Sequence, residues 1–301
     1  MKNLILILIL VAVGMVSCSR SARHSKILSE AESIVSAYPD SALVILDDID
    51  PKDLKDDSLR ALYAIVVGTA HKESYNSMVA DSLTEFAFEY YRDKDFKRFL
   101  QAGDLYAIHL FWLGDGNRSL SLLDSLIGLP NITTDSKIEL LRSRMGVGGQ
   151  LFDGKRNISA IRQLMQLDTV AASQPEYKRQ LYLNYAYAGQ NDSALILLDE
   201  LIDEARSKKL SEQEFAYKYE KISILEEAGR YAESNELADY IIENAPENSA
   251  LHFIHFSKAL NYLNLKDFKS ASAELAKADN YAKEVYSEES NYYESFAGHI
   301  R

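Results

Sequence analysis

The sequence feature that most constrains the fold is a small residue that recurs at nearly regular spacing. In seven segments, a small residue stands three positions after a short polar turn and is followed by apolar residues four and seven or eight positions further on. The small residues, 34 to 41 positions apart, are Ala42, Ala80, Ser119, Ala160, Ala194, Ser234 and Ala271. Apolar residues at this spacing lie on one face of a helix. The period predicts a protein built from helical repeats.

A second set of helical patterns lies between these segments. They are Leu59 to Thr69, Phe99 to Trp112, Lys137 to Met145, Tyr177 to Ala188, Phe215 to Glu227 and Leu251 to Asn264. The chain has only 13 Gly and 5 Pro in 301 residues, about half the usual share. So few turn-forming residues argue against a β-sandwich or barrel of many short strands. We therefore expect an all-α chain of about seven helix pairs.

Helix pairs at this period resemble tetratricopeptide repeats (TPR), whose unit is a hairpin of two helices. Around Ala194, the small residue and the apolar Leu198 and Leu201 match the second helix of the family unit, while Leu181 and Tyr185 match the first. The Trp of the family pattern is missing from every unit, so the repeats are degenerate. The resemblance covers roughly residues 26–290 and implies a TPR-like superhelix, a right-handed solenoid of helix hairpins. A plain helical bundle is the alternative.

The N-terminus has the pattern of a secretory signal. Lys2 precedes an apolar run from Leu4 to Val13, which is too short to cross a membrane. The following Val16-Ser17-Cys18 resembles the lipobox of bacterial lipoproteins, which implies cleavage before Cys18 and a lipid on its thiol. We therefore divide the chain into a signal peptide (1–17), a lipidated linker (18–25) and a TPR-like domain of about seven helix pairs (26–301). The alternative is an ordinary secretory signal with an incidental cysteine.

Location and charge restrict the partners. An Asp directly after Cys18 would resemble an inner-membrane retention signal of Gram-negative lipoproteins, and an acidic cluster there would resemble a surface-export tag. Neither follows Cys18. We therefore expect a lipid anchor in the outer membrane, with the body facing the periplasm. The formal net charge is -12, and it becomes -13 when residues 1–17 are removed, because this segment contains Lys2 and no acidic residue. A chain this acidic is a poor ligand for nucleic acid, since each phosphate contact needs a cation. We expect a protein or peptide partner, with the membrane reached through the lipid.

No motif predicts catalysis. The string from Gly149 to Arg156 contains the G-x-x-x-x-G-K of a phosphate-binding loop, but Arg stands in place of the Ser or Thr that ligates Mg²⁺, and a helical pattern precedes it. His252 and His255 could reach one metal ion, yet two ligands do not complete a zinc site and their aromatic neighbours indicate packing. Gly-x-Ser-x-Gly does not occur. We expect no enzyme activity, no cofactor and no metal site.

The resemblance implies that the first helix of each unit lines a concave face. Aromatic and Arg side chains are enriched in binding hot spots, and mapping the concave positions selects ten candidates. They are Phe111, Trp112, Arg142, Met145, Phe152, Arg179, Tyr187, Tyr219, Phe253 and Phe256. The alternative is that these side chains fill gaps between imperfect repeats.

The favoured function is therefore a non-catalytic scaffold or accessory factor that binds a protein or peptide at the outer membrane. One alternative is a sensory or regulatory protein, because YPDSALVILDDID at residues 38–50 resembles the first repeat of membrane-anchored transcriptional regulators. This chain would lack their DNA-binding part. An enzyme using a pair of carboxylates in a cleft is the remaining class.

Overall fold

The computed structural model describes residues 21–74, 83–244 and 251–285, and within these ranges the secondary structure is helical, without a β-strand. The helices are α1 (21–34), α2 (Pro39–Leu46), α3 (Asp57–Glu73), α4 (Leu83–Tyr91), α5 (Phe96–Trp112), α6 (Gly116–Ile127), α7 (Thr134–Gln150), α8 (Gly154–Leu167), α9 (Thr169–Ala172), α10 (Pro175–Tyr187), α11 (Asn191–Ser207), α12 (Ser211–Glu227), α13 (Tyr231–Asn244), α14 (Leu251–Asn264) and α15 (Phe268–Val285). A short 3-10 helix, Pro51–Asp53, lies between α2 and α3. Helix α1 includes residues 21–25, which the sequence analysis placed in a linker. The predicted signal peptide and Cys18 lie outside the described residues.

The all-helical prediction is confirmed, and the second set of patterns forms α3, α5, α7, α10, α12 and α14. We call these the first helices, and the helices that follow them in each pair the second helices. In the described ranges, no helix is long and apolar enough to span a membrane. The chain divides into two compact units, one up to Leu151 and one from Phe152.

In the first unit, consecutive helices pack against each other from α2 to α7, and α5 also packs against α3 and α7. Residues of α1, α2 and α3 share one apolar core, in which Leu28 and Ala42 are fully buried. A second core lies under α3 to α7 and includes Phe88, Leu123 and Leu140. Helices α3 and α5 are therefore each held both by their own second helix and by a neighbouring first helix.

In the second unit, α8 packs against α10, and consecutive helices from α10 to α15 pack against each other. Tyr182 of α10 and Leu198 and Leu201 of α11 are fully buried. Ile222, Ala238 and Ile254 form a core shared by α12, α13 and α14. The chain thus continues as stacked helix hairpins within this unit.

The small residues of the repeat lie where helices approach closely. Ala42, Ser119, Ala194 and Ser234 are fully buried, and Ala160 and Ala271 are at most 6% exposed. Ala80, the small residue of the weakest unit, lies outside the described residues. Close approach of two helices requires small side chains at the contact, and the burial of the six described positions fits this requirement.

The turns after five first helices share one backbone feature. The second residue after each helix has a positive φ; these residues are Gly114 (86°), Phe152 (53°), Gly189 (71°), Gly229 (72°) and Lys266 (61°). In the turn after α10, the N–H of Gln190 donates to the carbonyl of Tyr185 at 2.8 Å, which closes a Schellman motif. Glycine adopts this conformation at little cost, whereas other residues are strained in it. Phe152 and Lys266 therefore depart from the glycine that the turn prefers.

Candidate functional site

The ten predicted partner-binding residues, which we call the first-helix surface, all keep exposed side-chain area. Phe152 is 65%, Tyr187 49% and Trp112 42% exposed. Arg142, Tyr219 and Phe253 are also exposed, whereas Phe111, Met145, Arg179 and Phe256 are half-buried. Tyr185, which matches a position of the first helix of the repeat unit, is only 4% exposed. Six of the ten side chains are therefore exposed, and partner binding by the ten residues stays a prediction.

Four of the ten belong to the first unit, on the neighbouring helices α5 and α7. At the end of α5, the rings of Phe111 and Trp112 meet edge to face, with centroids 5.8 Å apart. Arg142 and Met145 are three positions apart on α7 and therefore share a face. Arg142 forms a 2.7 Å ion pair with Glu139 on its own helix. This part of the surface combines an exposed indole with a guanidinium.

In the second unit, Phe152 and Tyr187 are brought together. Their rings meet edge to face with centroids 4.9 Å apart and planes at 87°, an arrangement that aromatic pairs favour. Phe152 occupies the turn position where Gly114, Gly189 and Gly229 stand after other first helices. Residues with a strained backbone conformation are found more often at functional sites. This pair is the sharpest feature of the first-helix surface.

Arg179 and Tyr219 lie on the adjacent first helices α10 and α12. Arg179 reaches across to Glu220, with 3.4 Å between its Nη2 and the carboxylate Oε1. The buried Tyr182 donates its hydroxyl to the same carboxylate. Burial, followed by the negative charge of Glu226, raises the pKa of the Tyr219 phenol. Tyr219 therefore stays neutral and can donate a hydrogen bond to a partner at physiological pH.

Comparisons with known proteins report on the fold. No protein-family model matches the chain, and no curated protein matches its sequence. The apo form of RapI, a TPR-repeat protein, superposes on it with a TM-score of 0.58 and 11% identity, over 90% of this chain and 79% of RapI. The fold is TPR-like.

Two further solved structures are similar at lower scores. A tetratricopeptide repeat protein from Parabacteroides merdae ATCC 43184 has a TM-score of 0.48 and 12% identity, over 85% of this chain and 92% of its own. A Rap protein complexed with Competence and Sporulation Factor has a TM-score of 0.45 and 13% identity, over 88% and 78%. At these scores, neither adds to the assignment of the fold.

The last described pair of this TPR-like chain carries exposed residues that the sequence analysis did not select. On α14, Phe253 is 45%, Leu260 43% and Leu263 47% exposed, and Phe256 is half-buried. The four side chains, at spacings of three, four and three residues, lie on one side of the helix, and we call them the α14 stripe. The leucines occupy concave positions of the repeat pattern but are neither aromatic nor arginine, the residue types that define the first-helix surface.

A buried polar cluster connects α13, α14 and α15. His255 Nδ1 lies 2.6 Å from Glu274 Oε2, and Lys258 bonds Asp239 and lies 3.5 Å from Glu274 Oε1. Burial alone would raise the pKa of Glu274, but hydrogen bonds from Lys277 and His255 and the charge of Lys258 outweigh it and lower the pKa. Burial alone would lower the pKa of Lys258, but Asp239 and Glu274 reverse this and raise it. The cluster is charged and holds three helices together.

The two histidines that share one helix both lie in the interior. His252 is fully buried with its ring 4.1 Å from that of Phe253, and His255 is 3% exposed and held by Glu274. The packing interpretation is confirmed. Across the described ranges, no group of three or more His, Cys, Asp or Glu residues is placed to hold a metal ion.

In the first unit, a similar ion pair that the sequence did not predict links two first helices. Lys72 Nζ of α3 lies 2.7 Å from Asp104 Oδ2 of α5. Burial alone would lower the pKa of Lys72, but the charge and hydrogen bond of Asp104 outweigh it and raise the pKa. The partners are 32 residues apart in sequence, so no local pattern identifies them.

The glycine-rich string between Gly149 and Arg156 is a helix-to-helix turn. Helix α7 ends at Gln150 and α8 begins at Gly154, which confirms that a helix precedes the string. A Cβ added at Gly154 would lie 2.6 Å from the carbonyl oxygen of Asn184. Gly154 is therefore required for the contact between α8 and α10.

A small, open pocket of about 20 Å³ lies among α10, α11 and α12. Its lining includes the apolar Pro175, Leu201 and Leu210 and one carboxylate, Glu204. The hydrogen bond from Lys208, opposed by burial, lowers the pKa of Glu204, so this carboxylate is ionised at neutral pH. The pocket does not supply the second carboxylate that an acid–base pair would need.

Proposed function

We propose that this protein is a non-catalytic lipoprotein of the outer membrane that faces the periplasm and binds a protein or peptide through its first-helix surface. The observation that carries the proposal is the exposure of aromatic and arginine side chains on successive first helices of a TPR-like fold. Such side chains supply most of the energy in protein interfaces when a partner desolvates them. The anchor at Cys18 is supported by the lipobox-like end of the signal sequence.

The binding surface is tested with variants of equal exposure on different helices. Trp112 (42% exposed) and Tyr187 (49%) lie on first helices, whereas Tyr240 (46%) lies on the second helix α13. The tagged protein is crosslinked in whole cells and its partners are recovered from the envelope. We expect a partner that is recovered with the native chain and with Tyr240→Ala to be lost when Trp112→Ala and Tyr187→Ala are combined. A partner that stays bound to the double variant would contradict the proposal.

The anchor has an independent test. Cells expressing the native chain or Cys18→Ala are grown with a labelled fatty acid, and the protein is isolated. We expect label only in the native chain, together with retention of that chain in the outer-membrane fraction. Equal labelling of the two chains would refute the anchor and leave the binding surface unaffected.

A further inference from the structure

Glu226 is a carboxylate that is held between first helices by neutral groups. It lies near the end of α12 and is half-buried. Its Oε1 accepts hydrogen bonds from the hydroxyl of Ser257, from the amide of Asn261 at 2.9 Å and from the hydroxyl of Ser234 at 3.3 Å. In the part of the chain that the structure describes, its Oε2 has no partner. The site thus holds a negative charge without a counter-charge.

Other carboxylates that lie between helices of the second unit each face a cation. They include Glu204 with Lys178, Glu220 with Arg179, and Glu274 with Lys258. An unpaired charge in a partly buried position is unfavourable, whereas a cation at hydrogen-bonding distance offsets the lost hydration. Glu226 departs from this arrangement, and the difference needs an explanation.

The cations of the surrounding helices are engaged elsewhere. Helix α13, which supplies Ser234, contains no Lys or Arg. Helices α12 and α14 contain three lysines, which pair with other carboxylates: Lys218 with Glu214, Lys221 with Asp199, and Lys258 with Asp239. The helices that hold Glu226 therefore do not supply its counter-charge.

The surroundings of Glu226 provide an aromatic ring and apolar surface. Tyr219 and Ser223 precede Glu226 by seven and three positions, so all three lie on one side of α12, and Tyr219 and Ser223 are exposed. The charge of Glu226, after burial, contributes to the raised pKa of the Tyr219 phenol. On α14, Leu260 stands next to the donor Asn261 and is 43% exposed. An aromatic face attracts a cation, and an apolar surface can pack against the methylene stem of a lysine.

We propose that Glu226 binds a lysine side chain of the partner, and that this lysine stands among apolar residues in the partner segment. The proposal rests on the proposed binding of a protein or peptide by the first-helix surface, to which Tyr219 belongs, and specifies the chemistry of that partner. The formal net charge of -12 favours encounter with a cationic segment.

The hydrogen bonds of Glu226 favour lysine over arginine. Oε1 already accepts three hydrogen bonds, which leaves Oε2 for the partner. One oxygen suits the compact charge of an ammonium group, whereas the planar fork of a guanidinium is best matched by both oxygens of a carboxylate.

The stability of the free protein tests whether Glu226 lacks a counter-charge. Glu226→Gln removes the charge and keeps an oxygen that can accept the bonds from Ser257 and Asn261. We expect this variant to melt at the native temperature or above it, because no cation loses its partner. Glu274→Gln, which takes a carboxylate from Lys258, should melt at a lower temperature. If the two variants are destabilised equally, Glu226 has a structural role and the proposal is overturned.

Binding is tested with pools of short peptides whose central residue is fixed as Lys, Arg, Gln or Glu, and whose other positions are random but uncharged. Each pool is passed over the immobilised full chain, and the retained peptide is quantified. We expect the native chain to retain the lysine pool about ten-fold or more above the glutamine pool. Glu226→Gln should abolish this difference. Glu236→Gln, which removes the same charge from an exposed position of the second helix α13, should preserve it.

Three results would overturn the proposal. They are equal retention of the lysine and glutamine pools by the native chain, a lysine preference that survives in Glu226→Gln or disappears equally in Glu236→Gln, and stronger retention of the arginine pool than of the lysine pool. The crosslinked envelope partner separates this proposal from the proposed function. A partner that is lost with Trp112→Ala and Tyr187→Ala but kept with Glu226→Gln would leave the function standing and refute the lysine site.

Discussion

The positive φ of Phe152 predicts that replacing this residue with glycine destabilises the protein less than replacing it with alanine. Phe152 has φ 53° and is 65% exposed, and its ring contacts Tyr187. Phe152→Ala and Phe152→Gly both remove this ring contact. Only the glycine variant also relieves the strained backbone, so we expect Phe152→Gly to be the more stable of the two.

The magnitudes follow from the two contributions. Loss of an edge-to-face aromatic pair costs about 0.5 to 1.5 kcal/mol, and both variants lose it. A left-handed conformation costs a non-glycine residue about 1 to 2 kcal/mol, of which about 0.5 to 1 is offset by the greater freedom of glycine in the unfolded chain. We therefore expect Phe152→Ala to be about 1 kcal/mol less stable than the native chain, and Phe152→Gly to recover most of this loss.

Urea denaturation followed by far-UV circular dichroism measures the difference. Gly189→Ala is the matched control, because Gly189 occupies the equivalent turn position after α10 and has φ 71°. We expect this variant to lose about 1 kcal/mol of stability. If Phe152→Gly is no more stable than Phe152→Ala, the backbone at Phe152 is not strained. Phe152→Tyr should retain partner binding, while the alanine and glycine variants should both lose it.

Three further predictions concern packing and charge, each measured as a shift in the denaturation midpoint. Gly154→Ala should cost about 1 to 3 kcal/mol, because its Cβ would overlap the carbonyl of Asn184; Gly146→Ala, where a Cβ meets nothing within 4 Å, should be neutral or stabilising. Ala271→Leu should overpack a buried contact at a similar cost, whereas Leu at the exposed Ala273 of the same helix should be tolerated. Because the pKa of Glu274 is lowered in the folded protein, its contribution to folding stability is present above the ordinary pKa of a glutamate and is lost as the pH falls through the lowered value. Glu274→Gln should therefore cost about 2 kcal/mol at neutral pH and reduce the loss of stability on acidification. Equal midpoints for Gly154→Ala and Gly146→Ala, equal effects at the two alanines, or an unchanged acid profile in Glu274→Gln would contradict the respective reasoning.

The sequence predicts the helix pairs well because the information is local. A small residue such as Ala194 reports a close helix contact wherever it occurs, and the turns are short. Neighbouring tyrosines differ in the same way: Tyr187, a concave-face candidate, is 49% exposed, whereas Tyr185, which matches the repeat pattern of the first helix, is 4% exposed. The repeat pattern thus identifies which side of a first helix is exposed.

The polar contacts between helices were beyond a sequence-based prediction. His255 and Glu274 are 19 residues apart, and Lys72 and Asp104 are 32 apart. Each pair forms only because two helices pack in one particular register, which the amphipathic pattern does not specify. The strained backbone of Phe152 was also missed, since nothing in the sequence marks a phenylalanine as the residue that replaces glycine in a turn.

These polar contacts suggest how repeats that depart from the family pattern still pack in a single register. An apolar side chain can contact several neighbours at similar cost, whereas a carboxylate needs donors at hydrogen-bonding distance. Glu220 receives such donors from α10, and Glu226 receives them from α14, so each carboxylate fixes one helix relative to the next.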